Sequence, residues 1–160
     1  MTTTTTMPAA RKSLLAAFNR CIEAATDAEK GYATAAGDVR DPQLKVALQE
    51  RSDERAEYVI ALQRAVVELG GWPESQGSLE GHLHRAWIET RLAIEGRNDM
   101  TVLVECQRGE RTCVEAYNTL LWRIGADATL PYTLRSMVAR QHAAVTAAVV
   151  DLARRITGVA

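Results

Sequence analysis

The sequence predicts an all-α fold: an antiparallel four-helix bundle with a short helix in the long crossover between its second and third helices. Three observations lead there. Ala, Leu, Arg and Glu are plentiful, while aromatic residues make up only 5% of the 160, a mixture that favours helix over sheet. Apolar residues recur at alternating spacings of three and four over four long stretches, the stripe of a helix that buries one face. The prolines Pro8, Pro42, Pro73 and Pro131 all fall at the ends of elements, where a residue without an N–H is tolerated.

The elements follow in order. A first helix over 10–38 carries Phe18, Ile22, Ala25, Glu29, Tyr32, Ala36 and Val39 along its seam. Asp41 is the N-cap of a second, 42–69, with Pro42 at its first position. Its seam runs Leu44, Leu48, Arg51 or Ser52, Arg55, Val59, Leu62, Val66 and Leu69. Gly70-Gly71-Trp72-Pro73 is a loop. Ser78 is the expected cap of a short helix at 79–95, and Asn98 or Asp99 the cap of the third long helix, 98–124. That helix is seamed by Leu103, Cys106, Glu110, Cys113, Tyr117, Leu120 and Ile124. After the breaker Gly125, Leu130-Pro131 opens the fourth, 131–156, with Leu134, Val138, Gln141, Val145, Val149, Leu152 and Ile156. These heptad-like stripes are those of an antiparallel bundle. Short breaks make the first two helices one hairpin and the last two another. The link between hairpins is long enough to cross the bundle from end to end. Residues 1–9, rich in threonine, are expected as a disordered tail, and 10–157 as one domain.

Composition excludes several function classes. A net charge of −1 offers no basic surplus for nucleic acid and no acidic tail. The longest apolar runs are far shorter than the roughly 20 residues of a membrane span, and the N-terminus lacks the apolar core of a secretory signal. Cys106 and Cys113, seven apart on one helix, stand about 10 Å from each other, too far to bridge. With Cys21 they are expected as free thiols in a reducing cytoplasm. No phosphate loop, dinucleotide fingerprint, zinc spacing or nucleophile elbow is present. No catalytic residue is therefore assigned, and a non-enzymatic protein is expected.

All four seams turn polar near their middles. Glu29, Arg55, Glu110 and Gln141 describe a polar layer across the bundle, with Arg51, Ser52 and His142 beside it. A bare buried carboxylate costs several kcal/mol, so each needs a partner or a shifted pKa. In the preferred reading Arg55 or Arg51 is that partner, since a guanidinium binds carboxylates bidentately. The alternative is iron, manganese or zinc held by Glu29, Glu54, Glu110 and His142. A di-iron bundle takes one Glu from each of two helices and a Glu-x-x-His from each of the others. Here the second helix has no histidine, and Ala139 stands three residues before His142. In a third reading, a helix rotation leaves Glu29 or Glu110 at the rim. Gly31 and Gly109 cost about 1 kcal/mol each relative to alanine inside a helix. They sit within two residues of Glu29 and Glu110, which suggests close backbone approach or a bend.

Other candidates have plainer readings. His82 and His84 point to different helix faces and are expected to pack or hydrogen-bond. Trp72, Trp87 and Trp122 could mark a pocket or a partner surface. Trp87 aligns with Leu79, Leu83 and Ile94 and pins the crossover in the simpler view. Glu105, one residue off the seam, faces a groove under the crossover or a neighbouring arginine.

Through DAEKGYATAAGDVRDPQLK, LGGWPESQGSLEGHLHRAWIE and LVECQRGERTCVEAY the chain resembles DUF2383, a bacterial four-helix-bundle family of unknown function. The resemblance covers nearly all of 14–155. It implies a distant ferritin-like relationship, with the first hairpin, a crossover and the second hairpin in that order, and no established activity. Glu29, Gly31, Tyr32, Arg55, His84, Trp87, Glu105 and Glu110 occupy positions of the family. Ferritin-like ligands map only onto Glu29 and Glu110. The expected function is a bundle protein with a stress-associated or protein-interaction role, or alternatively a degenerate di-iron or single-metal protein. No cofactor is expected on the first view. A homodimer through a bundle face is an ordinary expectation.

Overall fold

Capping chemistry sets where the helices begin. The computed structural model describes residues 7–77 and 98–158. Four helices occupy them: α1 Ala9–Asp38, α2 Pro42–Glu68, α3 Asp99–Gly125 and α4 Tyr132–Thr157. Asp41 caps α2 by accepting from the amides of Gln43 and Leu44 at 2.8 and 3.4 Å. Asn98, not Asp99, caps α3, with its Oδ1 2.9 Å from the Met100 amide. These bonds satisfy donors that a helix start leaves unpaired. Gly70, at φ 76°, turns the chain after α2, and Gly158, at φ 67°, ends α4, both in the region that glycine adopts without strain. The short helix expected at 79–95, its cap Ser78, and His82, His84 and Trp87 lie outside the described residues, as do residues 1–6 of the expected tail.

Asp99 has a different task. Its two carboxylate oxygens accept from the Arg40 and Asp41 amides at 2.9 and 3.1 Å. The start of α3 is thereby fixed to the α1–α2 turn. α2 and α3 then both run away from that turn, while α1 and α4 run toward it. The link after α2 turns back along α1. Gly71 lies so close to Leu15 that a Cβ would stand 2.7 Å from its Cδ2, and a Cβ on Gly77 would stand 2.2 Å from Asp27 Oδ1. At both positions a side chain would have to displace its neighbour. Gly31 and Gly109 are different: among the described residues a Cβ on either meets nothing within 4 Å, so the close approach expected there is not found among them.

α1 packs against both α2 and α3, and α3 against α4. The small residues Ala17, Ala24, Ala25, Ala28, Ala35 and Ala36 are buried on α1, which lets two helices approach it closely. Phe18, Ile22, Leu48, Leu62, Val66, Leu120, Val138, Val145 and Leu152 fill the interior, each worth roughly 1.5–3 kcal/mol of burial. Across the remaining side, Arg51 of α2 meets Asp151 of α4 at 2.5 Å. No described helix is long and apolar enough to cross a membrane.

Candidate functional site

Among the described residues Arg55 is the largest fully buried side chain, 0% exposed, and Glu110 is likewise 0% exposed. Their helix seams carry them inward at mid-bundle, Arg55 from α2 and Glu110 from α3. Three donors converge on a single oxygen, Glu110 Oε1. Arg55 Nη2 and Nε donate at 2.5 and 3.0 Å, and the Tyr32 hydroxyl of α1 donates at 2.7 Å. One carboxylate oxygen thus joins three helices. The other oxygen, Oε2, is buried and has no hydrogen-bond partner among the described residues.

The remaining amino group of Arg55 reaches outward. Nη1 donates to Glu54 Oε2 at 2.5 Å, and Glu54 is 41% exposed. The Tyr58 hydroxyl donates to the other oxygen of Glu54 at 2.8 Å, while the Tyr58 ring lies 5.1 Å from the guanidinium carbon, within cation–π range. The positive charge is therefore shared between a buried and a half-exposed carboxylate. Next to this centre, Tyr117 of α3 donates to Gln141 Oε1 of α4 at 2.8 Å, and both residues are buried.

Burial opposes the Arg55 charge, but Glu110, Tyr32 and Glu54 outweigh it and hold the guanidinium proton above its ordinary range. Burial pushes the Glu110 carboxyl up, against the pull of Arg55, the Tyr32 hydroxyl and Arg51. Burial, followed by Glu110, also pushes the Tyr32 phenol up. The thiols follow the same rule. Burial raises Cys21 to about 12, and burial with Glu110 raises Cys106 to about 12. Cys113, pushed well above its ordinary value by burial, donates to the Ala24 carbonyl at 3.2 Å. Thiols held neutral are poor nucleophiles.

The expected residues are placed unequally. Arg55, Glu110 and Gln141 are buried, whereas Glu29 is only half-buried. Its side chain takes no part in the centre; its backbone carbonyl accepts from Ser52 Oγ at 2.9 Å. Tyr32, three residues on, reaches Glu110 instead. The reason is rotation: α1 lies between α2 and α3, so the middle of its stripe faces Glu110 and Glu29 falls toward the edge. Arg51 turns to Asp151, whose Oδ2 also accepts from Arg155 at 3.0 Å. His142 Nε2 lies 2.8 Å from Asn118 Oδ1 at the α3–α4 surface. The polar roles of Tyr32, Tyr58 and Tyr117 go beyond what is expected from the sequence. For Tyr32 and Tyr117 the available signal is a tyrosine on a seam near a polar residue, since a buried hydroxyl needs a partner; Tyr58 lies off the α2 seam and carries no such signal.

Of the four metal candidates, Glu54 and Glu110 flank Arg55, while Glu29 and His142 stand outside that centre. Among the described residues, no three His, Cys, Asp or Glu side chains come together to hold a metal. Ferritin-like iron does not fit this donor set. Arg55 already supplies a cation between the carboxylates, and Oε1 is occupied by three donors.

The profile of DUF2383, a domain of unknown function, matches residues 13–122. The chain belongs to the DUF2383 family. The DUF2383 match contains Tyr32, Glu54, Arg55 and Glu110, and ends before Gln141 and Asp151. The three-helix centre around Glu110 therefore lies within the family domain. No curated protein matches the chain in sequence.

Proposed function

We propose that this DUF2383 protein is a non-enzymatic bundle whose buried Tyr32–Glu110–Arg55 centre sets the register of its helices, and that it acts as an interaction protein through its outer faces. The observation that carries the reading is the convergence of donors from α1 and α2 on one Glu110 oxygen of α3. Sliding any of the three helices by a turn, about 5.4 Å, would break those bonds and leave charges buried without partners. A buried ion pair serves specificity better than net stability. The raised thiols and tyrosines leave no activated nucleophile at the centre. Large apolar side chains on the outside, among them Trp72, Trp122, Ile60 and Val67, support a role in binding other surfaces. The three free cysteines support a reducing compartment such as the cytoplasm.

The test is elemental analysis of protein purified without chelator. The expected result is no stoichiometric iron, manganese or zinc, and an unfolding midpoint unmoved by chelator. Near-stoichiometric metal, lost on Glu110→Ala, would overturn the reading in favour of a ferritin-like metalloprotein.

A further inference from the structure

We propose that α4 is a flap hinged on α3, which opens from a body made of α1, α2 and α3 without unfolding it, and that the Arg51–Asp151 ion pair is the clasp that holds it shut.

The polar ties between helices divide the molecule in this way. Tyr32 of α1 and Arg55 of α2 meet on Glu110 of α3. Asp99 of α3 holds the Arg40 and Asp41 amides of the α1–α2 turn. The Ser52 hydroxyl of α2 donates to the Glu29 carbonyl of α1, and the Cys113 thiol of α3 donates to the Ala24 carbonyl of α1. These bonds join α1, α2 and α3 to one another, and none of them involves α4.

The fourth helix is attached differently. Of the described helices, α4 packs closely on α3 alone. Its hydrogen bonds favour the same neighbour. Gln141 accepts from Tyr117 at 2.8 Å, the Val149 carbonyl accepts from Gln107 at 3.2 Å, and His142 lies 2.8 Å from Asn118. Across the seam to α2 the tie is Arg51 to Asp151 at 2.5 Å, with side chains 21% and 38% exposed. Water and salt reach such a pair and weaken it. Asp151 Oδ2 also accepts from Arg155 of α4 itself at 3.0 Å, so the carboxylate keeps a partner when Arg51 lets go. Parting Arg55 from Glu110 would instead strand two buried charges. The α2–α4 seam therefore opens before the body does.

The pivot is at the end of α3. Arg135, in the first turn of α4, donates from Nε to the Leu130 carbonyl at 3.2 Å and from Nη2 to the Asp127 carbonyl. These bonds carry the turn along with α4 and leave the bend to Gly125 and Ala126, where α3 stops. The DUF2383 match spans α1, α2 and most of α3 but none of α4, so the family domain and the body nearly coincide. Opening uncovers Leu134, Val138, Val145 and Leu152, which are buried in the closed bundle. Burial of that apolar strip closes the flap again, and the open form is a minor one.

Native-state hydrogen exchange in low urea, read helix by helix, tests this. Mid-helix amides of α4 are expected to exchange roughly tenfold or more faster than those of α1, α2 and α3. Their urea dependence is expected to be weaker, because opening exposes less surface than unfolding. Two variants separate a flap from a bundle that unfolds as one unit. Tyr32→Phe weakens the body in the closed and open forms alike. It should speed exchange in α1, α2 and α3 by roughly tenfold or more and leave α4 unchanged. Asp151→Asn weakens the closed form alone, so it should speed exchange in all four helices by roughly twofold to fivefold. A single urea dependence shared by all four helices overturns the proposal. So does a Tyr32→Phe effect as large in α4 as elsewhere, or α4 exchange that ignores Asp151→Asn.

Discussion

Arg55 and Glu110 meet at 2.5 and 3.0 Å through two nitrogens on one oxygen, and neither side chain touches solvent. The bidentate fork is asymmetric. Both donors of Arg55, and that of Tyr32, choose Oε1 and leave Oε2 without a partner among the described residues. Arg55 must therefore matter more than any surface arginine. Arg55→Ala strands a buried carboxyl and should cost roughly 3–5 kcal/mol. Arg64 is exposed on the same helix, and Arg64→Ala should stay within about 0.5 kcal/mol. Urea midpoints at low protein concentration check this, and equal midpoints would refute it.

The pair should show coupling that Glu29 does not share. Glu110→Leu combined with Arg55→Met replaces the ions with apolar volume. It should recover much of the loss of either single change, a coupling of about 1–3 kcal/mol. Glu29→Leu should cost little alone and couple to Arg55→Met by no more than about 0.5 kcal/mol, as independent sites do. A double-mutant cycle measures both, and strong coupling at Glu29 would place its carboxylate in the centre after all.

Tyr32→Phe should be worse than Tyr117→Phe. The first removes a bond to an ionisable group, worth about 1.5–3 kcal/mol, and the second a neutral bond to Gln141, worth about 0.5–1.5 kcal/mol. Thermal or urea unfolding of the two variants decides the order, and a reversal would mean that Glu110 does not need the hydroxyl.

Two carboxyls should give opposite pH signatures. The Glu110 carboxyl is raised by burial from an ordinary value of 4.5. Its contribution to stability is complete below that value and is lost as pH rises through the folded value. Glu110→Gln should remove this decline above about pH 4.5. For Asp151, burial is outweighed by the hydrogen bonds from Arg155 and Arg51, and the carboxyl is lowered from 3.8. Its contribution is present above that value and is lost as pH falls through the lower folded value. Asp151→Asn should soften the acid side alone. Urea midpoints across pH read both effects, and parallel curves for wild type and Glu110→Gln would refute the first.

The local features of this chain were decided by its sequence. Asp41-Pro42 and Asn98 start helices because their side chains and backbone satisfy helix ends within a few residues. The stripes on α2, α3 and α4 likewise single out Arg55, Glu110 and Gln141, because a seam with one buried face leaves few places for a polar side chain to go. Partner choice was decided only by tertiary structure. A helical stripe is about 100° wide or more, so Glu29 and Tyr32 are both on it. Only the position of α1 between α2 and α3 makes Tyr32 face Glu110 and turns Glu29 toward the edge. In the same way Arg51 and Arg55 sit four residues apart on one helix, yet one reaches Asp151 and the other Glu110. Helical periodicity fixes which face a side chain is on, but the rotation and spacing of neighbouring helices determine what it meets.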